Sequence, residues 1–382
     1  MKKIDPSLLE SLLTSRMSRD LAEHNLSGAS LIVLQNGAPV FRGHFGTTGP
    51  DTDTPIGEST LYRLASMTKP VTAVGILTLY DRSLIDLYDP VERYLPEYAD
   101  PWLAEVKDGE IRSVRPLTVK PTILHLLTHT SGLLGGELTG ACWPHRVGEI
   151  NRTLENAVRW YAEMGFGFEP FSRTEYSGEA AFDVLARIVE IAADMPYADY
   201  LKQAVFDPCG MADATFSPTE EQWSRMAAMH DKKDGQSVAV ALPAGCVFGI
   251  TPVTHPLGGA GLASTLADYA AFGEMLCRGG VIGGNRVLSE LAVRLMSVPH
   301  VPKSIMPGPV QWGLGVRVIT GEDYPYRLSV GAFGWSGAYG THFWIDPANG
   351  ITAVYLKNTV NDGGSDCLTG KNFERDVMAS LA

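Results

Sequence analysis

A serine and a lysine stand three residues apart in Ser66-Met67-Thr68-Lys69, where an extended stretch is followed by a helical one. A serine hydroxyl becomes an effective nucleophile only when a neighbouring base removes its proton. Because residues i and i+3 share one face of a helix, Lys69 can reach the oxygen of Ser66. A helix start also directs free backbone N–H groups toward the reacting atom. The pair predicts nucleophilic acyl transfer, although a Ser-x-x-Lys by itself is a weak signal.

Tyr176 is the candidate third member of this site. Lysine acts as a base only in its neutral form, so Lys69 must lie in a buried setting with hydrogen-bonding neighbours. A tyrosine oxygen can pass a proton between the serine, the lysine and a leaving group. Tyr176-Ser177-Gly178 falls in a predicted turn ahead of a helix. Its position alone says little, since the chain has 14 tyrosines.

The apolar spacing predicts the elements that must position these residues. A first helix runs from Pro6 to about His24, and a hairpin of Ala29–Leu34 and Val40–Phe45 follows it. The clearest helices after that are Val71–Asp81, Thr122–Thr128, Ala180–Ala192, Leu266–Cys277, Ser289–Met296 and a closing helix from about Asn372 to Leu381. Late strands are predicted at Trp312–Ile319, Arg327–Gly331, Thr341–Ile345 and Ile351–Lys357.

Strands near both ends, with helices between them, predict an α+β fold. We expect an antiparallel sheet built from both termini, flanked by terminal helices, with a mostly helical lobe inserted into it. Residues 1–64 and 300–382 would form the sheet part, and residues 65–299 the helical part. Ligand sites are common at such junctions, so the active site is expected between the two parts.

Composition excludes several classes of function. The formal charge of −12 argues against a nucleic-acid or anionic-membrane partner, because no basic patch offsets it. No signal-like segment and no membrane-spanning stretch is seen. Five cysteines without a Cys-x-x-Cys pattern favour reduced thiols in the cytoplasm: Cys142, Cys209, Cys246, Cys277 and Cys367. The oligomeric state is left open.

Five motifs then follow one another along the chain. They are Leu64-Ala65-Ser66-Met67-Thr68-Lys69, Leu124-His125-Leu126-Leu127-Thr128-His129-Thr130-Ser131-Gly132-Leu133, Tyr176-Ser177, Gly258-Gly259-Ala260-Gly261-Leu262-Ala263-Ser264-Thr265 and Gly334-Trp335-Ser336-Gly337-Ala338-Tyr339-Gly340. Together they resemble the serine β-lactamase-like family of class C type and, within it, the family VIII carboxylesterases. The resemblance covers nearly the whole chain from about Gly28 onward and implies a β-lactamase/transpeptidase-like fold.

The resemblance also implies roles for particular residues. Ser66 would be the nucleophile, Lys69 the base and Tyr176 a catalytic tyrosine. The backbone N–H groups of Ser66 and Ala338 would form the oxyanion hole, which agrees with the need for two converging donors. The late-strand motif is assigned to substrate binding through Trp335, Ser336, Gly337 and Tyr339.

Two departures from the family pattern favour uncharged esters over β-lactams. Relatives that act on β-lactams carry an asparagine two residues after the tyrosine, where this chain has Gly178. They also carry Lys-Thr-Gly or a histidine variant where this chain has Trp335-Ser336-Gly337. The first change removes a side-chain amide, and the second removes a cation that would bind a carboxylate. Esterase relatives more often have Gly-Gly after the tryptophan, which leaves the role of Ser336 open.

Two other patterns are set aside. His125 and His129 have the i, i+4 spacing of a zinc-binding helix, but no glutamate follows His125 and no third ligand is evident. Gly334–Ala338 resembles the nucleophile elbow of α/β-hydrolases, which needs an acid and then a histidine downstream. Only His342 follows Ser336, and it precedes every downstream aspartate. A structural role is therefore preferred for both histidines, and the elbow is rejected.

The sequence thus predicts a serine carboxylesterase for small-molecule esters of short to medium acyl length, without metal or organic cofactor. An acyltransferase using the same residues is the first alternative. A weak β-lactamase or D-aminopeptidase is the second, and a slow penicillin-recognising sensor is the third. The loops 132–152 and 235–256 are expected to shape the substrate pocket.

Overall fold

The computed structural model of the protein describes residues 2–146, 153–241, 253–325, 328–365 and 367–382. Three short 3-10 turns, Ala65–Met67, Val91–Arg93 and Pro96–Tyr98, and one π-helical turn, Lys202–Phe206, occur in this part of the chain. Its α-helices are α1 Pro6–Ala22, α2 Thr68–Asp81, α3 Ile123–Leu127, α4 Leu138–Arg146, α5 Leu154–Met164, α6 Ala180–Ala193, α7 Tyr197–Leu201, α8 Asp207–Cys209, α9 Glu220–Ser224, α10 Leu266–Cys277, α11 Glu290–Met296 and α12 Leu368–Ala379.

Strands of the described residues form one large sheet and four small pairs. The large sheet contains β1 Gly28–Gln35, β2 Ala38–Gly46, β11 Val310–Trp312, β12 Arg317–Ile319, β13 Phe333–Ser336, β14 His342–Asp346 and β15 Ile351–Leu356. The pairs are β3 Tyr62–Arg63 with β8 Ala263–Ser264, β4 Trp102–Lys107 with β5 Glu110–Pro116, β6 His230–Lys233 with β7 Gln236–Ala239, and β9 Val281–Ile282 with β10 Asn285–Arg286.

The large sheet is built from the two ends of the chain. Its strand order is β11-β12-β13-β14-β15-β1-β2, and neighbouring strands run antiparallel. The central contact pairs β1 with β15, for example Val33 opposite Ala353. This arrangement confirms the predicted α+β class with a sheet made by both termini. The proposed division into residues 1–64 with 300–382 and residues 65–299 stays a prediction.

Side chains on the two faces of this sheet enter two separate hydrophobic clusters. Alternate residues of β1 point to opposite faces, so Leu31 and Val33 join one cluster while Ile32 and Leu34 join the other. The first cluster holds apolar residues of the terminal helices α1 and α12, and the second holds those of α2, α6 and α10. The face that packs against α2, α6 and α10 carries the larger core, and the candidate catalytic residues lie on this side of the sheet.

Two sequence predictions about the strands need correction. Trp312–Ile319 is not one strand but the two strands β11 and β12, because the chain turns at Gly315 with φ +71°. The strand expected at Arg327–Gly331 is instead Phe333–Ser336, since Gly331 has φ +89° and ends a turn. Residue 327 lies outside the described residues. The hairpin of β4 and β5 within the mostly helical part was not predicted.

The helix predictions agree with the structure to within a few residues. The helix expected at Leu266–Cys277 has those bounds, and Thr265 caps it by accepting from the Asp268 N–H. The helix expected from Val71 begins earlier, at Thr68, which places Lys69 in its first turn. Among the described residues, no helix combines the length and the apolar character needed to cross a bilayer.

Candidate active site

Ser66 lies in the 3-10 turn Ala65–Met67, directly before α2. Ala65 has φ +48°, a left-handed conformation that residues with a side chain rarely adopt. The hydroxyl of Thr68 holds this turn, because it donates to the Ala65 carbonyl at 2.7 Å and accepts from the Leu262 N–H at 3.0 Å. The segment around Leu262 therefore supports the backbone of Ser66, whose own side chain remains partly exposed.

Lys69 is fully buried, and its Nζ lies 3.3 Å from the Oγ of Ser66. The same nitrogen donates to two backbone carbonyls, Gly178 O at 2.6 Å and Gly259 O at 2.8 Å. No carboxylate among the described residues forms an ion pair with this lysine. The ammonium or amine is thus held by neutral oxygens from two distant parts of the chain and is directed at Ser66.

The two glycines that supply these carbonyls have different surroundings. A Cβ at position 259 would lie 2.9 Å from Gly178 O, which is closer than real Cβ atoms come to another atom. It would also lie 3.2 Å from Lys69 Nζ. A Cβ at position 178 would meet nothing within 4 Å. Gly259 is therefore required by close packing around the lysine, whereas Gly178 leaves open space on its exposed side.

Tyr176 stands between the lysine and solvent, with 41% of its surface exposed. Its ring centroid lies 4.9 Å from Lys69 Nζ, and the ring stacks on Trp312 at 6.2 Å with an interplanar angle of 19°. Its hydroxyl accepts a hydrogen bond from Trp335 Nε1 at 3.4 Å. Among the described residues, no hydrogen bond joins this hydroxyl to Lys69 or Ser66, so the ring and not the oxygen faces the lysine.

The turn between β13 and β14, which carries Ala338, packs against the segment before Ser66. Thr341 Oγ1 donates to Leu64 O at 2.8 Å, which docks this turn against the segment before Ser66. A Cβ at position 337 would lie 2.2 Å from Leu64 O, so Gly337 permits this close approach. Ala338 follows it and is exposed. Within the described part of the chain, the N–H groups of Ser66 and Ala338 donate no hydrogen bond.

Neighbouring residues of the late-strand motif point to opposite faces of the sheet. Trp335 belongs to the larger core and reaches Tyr176 and Trp312, with ring centroids 5.3 and 4.8 Å away. Ser336 is 3% exposed and bonds to His342 on the other face. The expectation that the Ser336 side chain binds substrate is therefore not supported by its placement. Tyr339 is half-buried, and its carbonyl accepts from the Thr359 N–H at 2.9 Å.

Ser336 begins a buried, hydrogen-bonded chain of a serine, a histidine and a glutamate that no sequence motif predicted. Glu374 accepts from the Nε2–H of His342 at 3.1 Å, which leaves Nδ1 to accept from the Ser336 hydroxyl at 2.8 Å. Burial lowers the pKa of His342. Burial alone would raise the pKa of Glu374, but Arg317 and His342 outweigh it and hold that pKa below its ordinary value. The three side chains are enclosed, so the series serves structure.

His125 and His129, the pair with zinc-like spacing, are bonded separately. His125 Nδ1 accepts from the Thr122 N–H at 3.2 Å, and His129 Nδ1 accepts from the Ser177 N–H at 3.1 Å. Burial lowers the pKa of His125 to about 4. No cluster of metal-ligating side chains is found among the described residues. Each imidazole instead fixes a nearby backbone segment.

A pocket opens beside Tyr176. Its lining combines apolar side chains, two carboxylates and the turn that carries Tyr176: Leu133, Leu134, Trp160, Phe168, Glu175, Glu179, Tyr176 and Gly178. The sequence predicts pocket walls from residues 132–152 and 235–256. Residues 132–135 do line the pocket, while residues 147–152 and 242–252 lie outside the described part. Trp312, which packs on both Tyr176 and Trp335, was not anticipated.

Known proteins are similar to this chain over nearly its whole length. The family profile described as Beta-lactamase matches residues 13–372. Esterase EstB of Burkholderia gladioli is 32% identical over 394 residues, which cover 96% of this chain and 94% of EstB. This similarity confirms the family resemblance predicted from the ordered motifs.

Solved structures show the same fold. EstCE1, described as a hydrolase with promiscuous acyltransferase activity, superposes with a TM-score of 0.83 at 24% identity, over 98% of this chain and 99% of EstCE1. Simvastatin synthase (LovD) of Aspergillus terreus gives a TM-score of 0.81 at 22% identity, over 99% of this chain and 98% of LovD. From its sequence profile and its fold, the chain belongs to the beta-lactamase family, on the branch that contains esterase EstB.

Proposed function

We propose that this chain is a serine carboxylesterase that forms an acyl-enzyme on Ser66. The observation that carries the proposal is the 3.3 Å contact between Lys69 Nζ and Ser66 Oγ at the start of α2. This distance lets the lysine take the serine proton as the hydroxyl attacks an ester carbonyl. Esterase EstB, which is similar over almost its whole length, supports the choice of ester substrates.

The hydrogen bonds of Lys69 suit a base. A neutral amine has two N–H groups and one lone pair. Donation to Gly178 O and Gly259 O uses both hydrogens, so the lone pair is left for the hydroxyl hydrogen of Ser66. In this proposal the proton moves from Ser66 Oγ to Lys69 Nζ, and the carbonyl oxygen of the substrate becomes an oxyanion. The N–H groups of Ser66 and Ala338 would bind that oxyanion.

Tyr176 would complete the turnover as the proton donor to the leaving alcohol. Its hydroxyl is held by Trp335, and its exposed ring borders the side from which an alcohol can leave. The phenolic proton goes to the alcohol oxygen as the ester C–O bond breaks. Because the tyrosine oxygen does not contact Lys69, the proton held by the lysine then passes to the phenolate through solvent water. Water then attacks the acyl-enzyme, loses a proton to the same groups, and releases the acid with free Ser66.

The substrate class follows from what surrounds these groups. The pocket beside Tyr176 is lined by apolar side chains such as Leu133, Trp160 and Phe168, which suit an uncharged acyl or alcohol portion. Glu175 and Glu179 also line it, and their carboxylates would disfavour an anionic substrate. Trp335 stands where a carboxylate-binding cation would be needed for a β-lactam. We therefore propose small, uncharged esters of short to medium acyl chain as substrates of Ser66.

A panel of p-nitrophenyl esters of rising acyl length, assayed beside nitrocefin and a D-alanyl amide, tests this function. Ser66→Ala, Lys69→Ala and the double variant should each lose several orders of magnitude of ester turnover. Because residues that act as one unit give non-additive losses, the double variant should be about as inactive as either single variant. If nitrocefin or the D-alanyl amide is hydrolysed as fast as the best ester, the β-lactamase or aminopeptidase alternative replaces the carboxylesterase proposal.

Acyl transfer is the second candidate. Tyr176 and Ala338 are both exposed, so an acyl group on Ser66 would be open to acceptors larger than water. EstCE1 is described as having promiscuous acyltransferase activity, which supports the same possibility here. Added primary alcohols should then divert product from free acid to new ester. If free acid is the sole product even at molar alcohol concentration, the chain catalyses hydrolysis and not acyl transfer.

We also propose a cytoplasmic location. Its support is that Cys142, Cys209, Cys277 and Cys367 are free thiols within the described residues. Fractionation of cells that express the untagged chain, with thiol alkylation before lysis, tests it. Recovery with the periplasmic or secreted fraction would contradict the proposal.

A further inference from the structure

Both peptide N–H groups that flank Tyr176 bond to one residue, His129. The Glu175 N–H donates to the His129 carbonyl at 3.0 Å, and the Ser177 N–H donates to the His129 Nδ1 at 3.1 Å. The hydroxyl of Thr174 adds a third hydrogen bond to the same carbonyl at 3.1 Å. The backbone on either side of Tyr176 is thus fixed to a single point, 47 residues earlier in the chain.

His129 is itself held in one place. It is 1% exposed and has φ +56°, a left-handed conformation that follows the end of α3. Its ring lies 4.7 Å from the Tyr176 ring, 4.5 Å from Trp312 and 5.4 Å from Phe182, measured between centroids. An imidazole enclosed on these sides cannot turn away from the Ser177 N–H without leaving its packing.

The Nδ1 of His129 also stays an acceptor at neutral pH. Burial, and then the nearby Lys69, lower the pKa of His129 well below its ordinary value. A neutral imidazole that accepts at Nδ1 carries its hydrogen on Nε2. The hydrogen bond to Ser177 therefore does not depend on a protonation change in the range where an esterase would be assayed.

We propose that His129 is a positioning residue that sets the place of the Tyr176 hydroxyl by holding the backbone on both sides of it. This inference rests on the proposed function, in which Tyr176 gives its proton to the leaving alcohol. His129 touches no reacting atom and acts only through the tyrosine turn. A displacement of the hydroxyl by about 1 Å is enough to lower a chemical step by about 100-fold.

The alternative is that the ring merely fills the core, and two variants separate these roles. His129→Phe keeps an aromatic ring but removes the acceptor for the Ser177 N–H. His129→Asn removes the ring, offers a side-chain oxygen near the place of Nδ1, and tolerates a positive φ. Positioning through the hydrogen bond predicts that the phenylalanine variant is the worse enzyme, and core filling predicts the reverse.

The experiment measures kcat and KM for a p-nitrophenyl ester, with kcat expressed per Ser66 that reacts with a fluorophosphonate. His129→Phe should lower kcat about 10- to 100-fold with KM changed less than about threefold, and His129→Asn should lower kcat by less than about fivefold. Wild-type kcat in His129→Phe, or equal losses in both variants, would overturn the inference. If the phenylalanine variant does not fold, His129→Ala replaces it. Both small variants lack the ring, so a kcat equal in His129→Ala and His129→Asn would then overturn the inference.

His125→Phe is the matched control for this experiment. His125 is a partly enclosed imidazole whose Nδ1 also accepts a backbone N–H, but its partner is Thr122, the residue that caps α3, and its ring contacts Phe171. This variant should keep the wild-type kcat.

Tyr176→Phe distinguishes a failure of the positioning inference from a failure of the proposed function on which it rests. If Tyr176→Phe keeps wild-type kcat, the proposed mechanism fails. If Tyr176→Phe is inactive while His129→Phe is not, only the positioning role fails.

Discussion

The indole N–H of Trp335 donates a hydrogen bond to the phenolic oxygen of Tyr176 across 3.4 Å. This contact joins strand β13 to the turn before α6, two segments 159 residues apart. It places a neutral donor where β-lactam-directed relatives are expected to hold a cation. A neutral donor can stabilise a phenolate, but it offers little to a substrate carboxylate.

Replacing Trp335 by phenylalanine isolates this donor. The change keeps an aromatic ring against Trp312 but removes the N–H that reaches Tyr176. Loss of one neutral hydrogen bond is worth about 1 kcal/mol, so kcat for a butyrate ester should fall about five- to tenfold with a smaller change in KM. Steady-state kinetics check this. An unchanged kcat would mean that the hydrogen bond plays no part in turnover.

Replacing Trp335 by lysine should shift substrate preference. A cation at this position can pair with a β-lactam carboxylate, so the nitrocefin-to-ester rate ratio should rise about tenfold or more. Turnover of longer acyl esters should fall, because apolar area beside the pocket is lost. Trp335→Met, which is uncharged and of similar length, is the control. If the nitrocefin-to-ester rate ratio rises equally in Trp335→Lys and Trp335→Met, the loss of the bulky indole and not the added charge causes the change in preference.

Gly259 and Gly178 form a matched pair around Lys69. The Cβ of Gly259→Ala would press on the Gly178 carbonyl and approach Lys69 Nζ, so the lysine must move relative to Ser66. We expect a loss in kcat of about 100-fold. The Cβ of Gly178→Ala would meet open space, so its loss should be far smaller, less than about fivefold. Similar losses in the two variants would contradict the described placement of Lys69.

Buried imidazoles should make the protein lose stability in mild acid. Burial lowers the pKa of His125 and of His230 to about 4, and it also lowers the pKa values of His129 and His342. The unfolded chain therefore binds more protons than the folded one below about pH 6.5. The free energy of unfolding should be greatest above that pH and should fall as the pH drops toward 4.

Urea denaturation at pH 7.5, 6.0 and 5.0 measures this dependence. His230→Leu should flatten the slope, because it removes one of the groups that must stay neutral in the fold. A free energy of unfolding that stays constant or rises between pH 7.5 and 5.0 would show that these histidines do not control acid stability.

Local features of this protein could be predicted from its sequence. The contact between Ser66 and Lys69 depends only on their spacing in one helical turn. The bounds of α10 follow from a capping threonine before it and two glycines after Arg278. Such elements are specified by neighbouring residues, so a single sequence contains the information.

Long-range features could not be predicted in the same way. The partners of Lys69 are backbone carbonyls of Gly178 and Gly259, and a carbonyl has no residue type that a sequence could reveal. The pairing of Ser336 with His342 depends on the register of β13 and β14, and the late strand had been placed too early. His129 was given a structural role because the zinc-like pattern around it is incomplete. Its two bonds beside Tyr176 arise only in the folded chain, so no sequence pattern predicted them.

Covalent labelling followed by peptide mapping tests the central claim most directly. The wild-type chain is treated with a fluorophosphonate and digested, and the modified serine is located by mass spectrometry. We predict one label, on Ser66, its loss in Ser66→Ala, and no label on the enclosed Ser336. A label that remains on another serine in the Ser66→Ala variant, together with retained ester turnover, would contradict the account.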